Sequence, residues 1–327
     1  MNKKILFLGG AGFIGSVLTP KLLRKGYHVT VIDLMIFKNH FKTHENLTVI
    51  QGDINDIELI DSLMNNNEYE IVINFAVITD DTGDELLESI RHTTNIDACI
   101  ELAKKAKHFG CKKFIYASST SVYGNVKTNE PVDEQYKPAP LTDYGHFKYT
   151  CEQALIPMTN EQFAVCCVRP STVFGCSPRA RFDLLVNNLT MTACLENKMI
   201  LSGSDYIRPN IHIEDITDFY IHIIESEHSK IAGQIFNMTD NNIEIKEFAE
   251  LIKSSQFPEA EIEIVKPNDH RSYNVSSKKA FSLLGFKPSH SIINAVRALT
   301  NELEAEIHDS PMENVIYYNK YKPGYSV

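Results

Sequence analysis

A short apolar run, Ile5 to Leu8, is closed by glycine, and glycines recur at Gly9, Gly12 and Gly15 ahead of a helical pattern from Ser16 to Lys25. An apolar run of this length bounded by glycine reads as a buried parallel strand. The glycines remove side chains where a diphosphate approaches backbone amides at a helix start, where the dipole favours negative charge. Taken alone, the triplet is also what a tight strand-to-helix turn requires. A second apolar strand, His28 to Ile32, leads into Asp33, roughly twenty residues on, the distance expected of a carboxylate that holds a ribose diol. Its charge accepts from both hydroxyls and repels a 2′-phosphate, which favours NAD over NADP. Gly9, Gly12, Phe13, Ile14, Gly15 and Asp33 are therefore the first candidates for a cofactor site.

Apolar strands continue to alternate with helical patterns. The strand candidates are 4–8, 28–32, 47–51, 71–75, 113–117 and 164–168; helical stretches intervene at 16–25, 57–64, 94–109 and 144–155. Strands separated by helices imply an α/β fold, a Rossmann-type doubly wound parallel sheet with ligands at the carboxyl ends of its strands. Pro20 inside the first helix predicts a bend or a late helix start. Past Val168, prolines at 170, 178 and 209 punctuate irregular segments around one helix, 183–196. Segments 211–226 and 234–238 read as a return to the sheet layer, followed by helices at 246–254, 277–284 and 289–306. The division predicted is a dinucleotide-binding domain over 1–170, with return segments near 211–238, and a smaller interleaved domain over 171–327. Residues 316–327, with four tyrosines, read as a frayed terminus.

A chain of 327 residues can bury a large core, and 43% apolar with 23% charged residues is ordinary for a globular protein. A formal net charge of -10 argues against nucleic-acid or anionic-membrane partners, and no apolar run is long enough to span a bilayer. Lys3, Lys4 and the apolar residues after them resemble a short signal peptide, but the run stops at Gly9 without a small-residue cleavage site, so a first strand is the better reading. The seven cysteines show neither metal-ligand spacing nor a disulfide framework. Buried thiols in a reducing, cytoplasmic compartment and no metal are expected.

Tyr144 and Lys148 stand one helical turn apart and share a face. An ammonium beside a phenol favours the phenolate and moves it toward use as a general base; without context, the pair is equally a surface tyrosine and lysine. The context is the fifth strand, which ends in a hydroxyl-rich run from Ser118 to Ser121. A serine there can donate to a substrate oxygen that is gaining charge.

These residues, in this order, resemble an extended short-chain dehydrogenase/reductase of the NAD-dependent sugar-nucleotide epimerase/dehydratase family. The matching stretches are GGAGFIG (9–15), Asp33, GDIND (52–56), SSTSVYG (118–124), YGHFK (144–148), RPNIHIED (208–215) and the segment 266–288. The resemblance implies Tyr144 as base, Lys148 on the nicotinamide ribose and Ser119 as partner of the reacting hydroxyl. It places Asp53 and Ile54 at the adenine, Ala76 along the cofactor, and Asn95 at the fourth helix start, supporting the active-site backbone. In isolation Asp53 also fits a helix cap and Asn95 a polar core contact. Arg208 and Arg271 match positions that clamp a substrate diphosphate, a role suited to bidentate guanidinium groups; His212 is expected to be structural and His270 solvated. Segments 16–23 and 172–188 are further similar to the GDP-heptose 4-dehydrogenase branch, which adds Arg179, Arg181 and Asn187 as nucleotide, phosphate or sugar contacts.

Departures from the family pattern narrow the chemistry. Thr120 and Ser121 stand where dehydratases carry an acidic pair, and hydroxyls are poor substitutes for the acid and base that loss of water needs. The fucose-synthase branch has a cysteine where Thr120 sits, so coupled epimerisation is disfavoured too. Thr172 replaces the substrate-binding asparagine of many 4-epimerases, and Asn74 leads a segment the family often opens with histidine. Thr120 and Thr172 join Ser119 as substrate-side candidates. The resemblance implies oxidation at C4 of a nucleoside-diphosphate sugar by an NAD-retaining 4-epimerase. The alternatives are a dehydrogenase that releases the 4-keto sugar and a non-catalytic nucleotide-sensing protein of the same fold. A homodimer joined through the helices at 94–109 and 144–155 is expected.

Overall fold

The computed structural model describes residues 3–79, 92–126, 128, 130–267 and 271–319. Seven strands form the main sheet: β1 (Lys4–Leu8), β2 (His28–Asp33), β3 (Leu47–Gln51), β4 (Tyr69–Asn74), β5 (Lys113–Ala117), β6 (Ala164–Pro170) and, after the smaller strands β7–β9, β10 (Gln234–Met238). Their order is β10-β6-β5-β4-β1-β2-β3, and every neighbouring pair is parallel. Successive side chains leave opposite faces of a strand. Ile5 and Phe7 accordingly enter one core with the helices Gly15–Arg24 and Ile213–Glu225, while Leu6 and Leu8 enter another with Ala98–His108 and Asp143–Leu155. With both faces covered, the central strand β1 has to be apolar along its run from Ile5 to Leu8, as the sequence has it, whereas the edge strand β3 has no buried residue. Strand order reverses between β1 and β4, which is where a doubly wound sheet opens a crevice at its carboxyl edge.

The structure refines two expectations and corrects a third. Only the first residues of 211–226 are strand, in β9 (Ile207–His212). The rest is the helix Ile213–Glu225, whose buried Ile213, Ile216, Phe219, Tyr220, Ile223 and Ile224 recur at helical spacing. The first helix begins at Gly15, ahead of Pro20, so no late start occurs. A proline forfeits one intrahelical bond, and Leu18 and Leu22 are fully buried to either side of it, each able to contribute about 1.5–3 kcal/mol.

The terminus does not fray at 316–319. Tyr317 is buried, its ring centroid 5.5 Å from that of Phe182, and its carbonyl accepts from the Phe182 amide at 3.0 Å. The remainder of that tail, 320–327, lies outside the described residues.

The second half, read as irregular, contains short strands. β7 (Thr172–Phe174), β9 and β11 (Asn241–Glu244) form a three-stranded sheet; β8 (Lys198–Ser202) pairs with β12 (Glu261–Val265). Helices Leu185–Glu196, Ile245–Ser255 and Ile292–Glu304 pack around a third core that includes Phe174, Met199 and Phe248. All seven cysteines are free thiols, five of them buried. Among the described residues, no helix is long and apolar enough to cross a membrane.

Candidate active site

A cleft of about 640 Å³ opens at the carboxyl edge of the main sheet. Its floor is the turn after β1. Gly9 has φ +72°, and a Cβ there would stand 2.4 Å from the Ala76 amide nitrogen; at Gly15 a Cβ would meet the Gly10 carbonyl oxygen at 2.3 Å. At Gly12 the nearest atom would be 3.5 Å away, so its missing side chain leaves space rather than relieving a clash. The turn thus fits a diphosphate: one glycine opens the helix start and two allow the backbone to close tightly around it. Asp33 ends β2, and its two oxygens accept from the Ala11 amide at 3.0 Å and the Met35 amide at 2.9 Å. Burial raises its pKa, and these two amides oppose the shift. The carboxylate is oriented by the backbone and retains acceptor capacity for a diol.

Two strand positions from β1, past β4, lies the end of β5. Lys148 on the helix Asp143–Leu155 is buried and donates from Nζ to the Ala117 carbonyl at 2.6 Å; Nζ stands 4.8 Å from the Tyr116 ring centroid and 5.6 Å from that of Tyr144. Thr142 caps this helix by accepting from the Gly145 amide. Gly145 permits close approach, because a Cβ there would be 3.0 Å from the Ser121 carbonyl. Ser119 accepts from the Ser121 amide at 3.1 Å, and Thr120 Oγ1 is 3.4 Å from Tyr273 Oη. Ser119, Thr120, Tyr144 and Lys148 line the same cleft as the glycine turn.

Behind them lies an arrangement that sequence reasoning missed. Arg169 donates to both oxygens of Glu152, at 2.8 and 2.6 Å, and to Tyr123 Oη at 2.8 Å; Ser118 Oγ donates to Glu152 at 2.5 Å, and Tyr123 Oη donates to Asn237. Glu152 and Arg169 are buried. The network ties β5, β6 and β10 to the helix that carries Tyr144 and Lys148. Its signal was present: Glu152 follows Tyr144 and Lys148 at the same four-residue interval and shares their face.

The other candidates divide. Asp53, Ile54, Ala76, Thr172, Arg179, Arg181 and Arg271 line the cleft. Asn95 is buried and clamps Ile78, accepting from its amide and donating to its carbonyl, so it braces the loop beside the cofactor groove. Asn187 likewise holds the Gly175 amide and the Arg181 carbonyl. Neither is among the cleft-lining residues, nor is Arg208, which donates to the Arg271 carbonyl. Arg181 is paired with Asp183 at 2.5 Å. Arg179 lies against the Phe37 ring, 3.9 Å from its centroid, and burial, with Arg181 next, draws its pKa down to about 9. His212 is structural, accepting from the Glu214 amide at 3.0 Å and capping the helix that follows. His270 lies outside the described residues. Among those described, no cluster of three or more His, Cys, Asp and Glu side chains suits a metal ion.

A doubly wound parallel sheet, a glycine turn at the switch point and a Tyr-x-x-x-Lys helix define an extended short-chain dehydrogenase/reductase that uses NAD. The model of the NAD dependent epimerase/dehydratase family matches residues 5–239, and the chain belongs to that family. Among its relatives, the UDP-glucose 4-epimerase of Bacillus subtilis is 28% identical over 261 residues, spanning 72% of this chain and 76% of the relative. That of Halalkalibacterium halodurans is 27% identical over 310 residues, 88% and 91% of the two chains. The UDP-glucuronic acid 4-epimerase of Bacillus cereus, solved with UDP-glucuronic acid and NAD, superposes with a TM-score of 0.78 at 25% identity over 92% of this chain and 99% of that one.

Proposed function

We propose that this protein is a sugar-nucleotide 4-epimerase that oxidises and re-reduces C4 of a nucleoside-diphosphate sugar. The observation that carries the reading is one cleft holding the glycine turn, Asp33, Ser119, Tyr144 and Lys148 together. Gly9 to Gly15 would seat the cofactor's diphosphate, Asp33 its adenosine ribose, and Lys148 its nicotinamide ribose. Bound NAD supplies the acceptor and donor of hydride. Tyr144 Oη removes the C4 hydroxyl proton and later returns one, while Ser119 Oγ donates to that same oxygen as charge develops on it. Thr120, Thr172, Arg181 and Arg271 stand on the substrate side. Arg208, bonded to the Arg271 backbone, supports the guanidinium that meets the substrate diphosphate. Hydroxyl side chains at 120 and 121 supply no acid–base pair for loss of water, which favours epimerisation over dehydration.

The test is product analysis with UDP-glucose, UDP-arabinose and UDP-glucuronic acid. A 4-epimer formed without net NADH is the expected result; a ketone accumulating with stoichiometric NADH makes the protein a dehydrogenase. A homodimer joined across the helices Ala98–His108 and Asp143–Leu155 completes the reading, as does a cytoplasmic site of action in carbohydrate biosynthesis. Elution at the mass of one chain at micromolar concentration would remove the dimer.

A further inference from the structure

Arg179 lies in the loop after β7 and is 2% exposed, yet it has no carboxylate within ion-pairing distance among the described residues. Its terminal nitrogens donate to Asn319 Oδ1 at 2.8 Å and to the Ala180 carbonyl at 3.4 Å, its face covers Phe37, and its Nε is buried without a partner. Asn319 in turn donates from its amide nitrogen to Thr79 Oγ1. Phe37 follows β2 and Thr79 follows β4, and β1 lies between those strands. The chain of contacts Phe37–Arg179–Asn319–Thr79 therefore spans the carboxyl end of β1, over the glycine turn. All four residues line the cleft. The loop is seated on that turn as well: Ser177 Oγ donates to the Phe13 carbonyl at 2.8 Å and lies 2.8 Å from Ser16 Oγ.

A buried guanidinium with an idle donor is a costly arrangement unless something fills it. The position of Arg179 says what that is. It stands on the β2 side, its guanidinium 3.9 Å from the centroid of the Phe37 ring that follows β2. Ser119 stands at the end of β5, three strand spacings from β2, or roughly 14 Å at about 4.8 Å per spacing. A sugar reacting at Ser119 and Tyr144 is remote from Arg179, whereas a dinucleotide lying along the groove passes beneath it. We propose that Arg179 is a cofactor-binding residue contributed by the second half of the chain. Its guanidinium meets oxygen of the adenosine ribose–diphosphate end of NAD, and Asn319 is the positioning residue that holds it there. The first half forms the floor of the cofactor site, and Arg179 with the C-terminal segment forms its roof. This moves Arg179 from the substrate side, and it rests on the reading that the cleft holds NAD. A roof of this kind suits an enzyme that must keep its cofactor through both halves of a turnover.

The experiment measures NADH affinity by fluorescence on cofactor-stripped protein, and UDP affinity by calorimetry on the same samples. Arg179→Ala is expected to weaken NADH binding by about tenfold or more, as loss of a charged hydrogen bond does, with UDP affinity within twofold of wild type. Asn319→Ala is expected to weaken NADH binding by roughly threefold, and Arg179→Lys to fall between, since lysine keeps the charge without the planar fork. If Arg179→Ala does not fold, Arg179→Lys and Asn319→Ala carry the test. NADH affinity within twofold of wild type in the folded variants, with UDP binding weakened or unchanged, overturns the assignment. A wild-type protein that binds no NADH would instead sink the functional reading beneath it.

Discussion

The floor and the roof of the cleft are built by opposite means. The floor is one continuous turn, Gly9 to Gly15, whose function follows from backbone alone, with Asp33 fixed by two amides of the same layer. The roof is assembled from side chains far apart in sequence: Ser177 is 164 residues from the carbonyl it bonds, Asn319 is 140 residues from Arg179 and 240 from Thr79. At Gly9 and Gly15 a floor made of backbone tolerates almost no covalent change, because the interfering atom is itself backbone. A roof made of side chains can be loosened by degrees. Tyr144 and Lys148 stand to one side of both, past β4, on a helix that is held from behind by a buried ion pair.

The sharpest way to break that division is at the chemistry itself. Tyr144→Phe is expected to lower kcat by about 10³-fold while leaving cofactor affinity and thermal stability near wild type, because the helix is held by Lys148 and Glu152 rather than by the phenol. Steady-state kinetics beside NADH titration checks this, and a variant that turns over at the wild-type rate would remove Tyr144 from the mechanism. Next in size is the support behind it. Glu152→Ala leaves Arg169 buried and unpaired and Ser118 without its acceptor, so a loss of about 3–5 kcal/mol in folding stability is expected from chemical denaturation. Glu152→Gln, which retains an acceptor oxygen, should lose less.

What could be read beforehand follows the same line. The glycine turn and Asp33 were legible because their partners are local and their spacing is imposed by a strand and a helix. Tyr144 and Lys148 were legible as a pair; Glu152, one turn further on, was not singled out, because its partner Arg169 lies on β6. The strand-to-helix switch at His212 was not resolved beforehand, because an apolar run of isoleucines fits a buried strand as well as a helix. Asn319 could not have been found. Nothing in a tail of tyrosines says that one asparagine closes on an arginine from the loop after β7; the packing of Tyr317 on Phe182, with the backbone bond between the two residues, brings it there.

A finer break separates two kinds of glycine within the floor. Gly15→Ala forces a Cβ to 2.3 Å from a carbonyl oxygen that belongs to the turn itself, and about 3 kcal/mol of destabilisation is expected. At Gly12 the same methyl has 3.5 Å of room, so Gly12→Ala is expected to fold with near-wild-type stability and to lose cofactor affinity instead. Thermal unfolding of stripped protein, set beside NADH titration, distinguishes the two. Equal stability losses at both positions would mean that the turn, not the ligand, fixes Gly12.

The smallest effect tests the sheet from which the roof is hung. His212 Nδ1 accepts from the Glu214 amide, so the cap exists only while that nitrogen is unprotonated. Burial, and then the His290 ring stacked 5.0 Å away, lower its pKa to about 4, against the opposing pull of Asp215 and Glu214; Lys21 adds to the lowering. An unfolded histidine takes up its proton near pH 6.5. Between that value and about 4 the unfolded chain binds a proton that the folded one refuses, so stability present above pH 6.5 is lost as the pH falls. The loss should reach about 1–2 kcal/mol by pH 5. In His212→Asn the side-chain oxygen can cap the same amide without titrating, so its unfolding temperature should fall less steeply from pH 7.5 to pH 5 than that of wild type. Parallel slopes in the two proteins would show that the cap survives protonation, and that the sheet beneath the roof is held by its core alone.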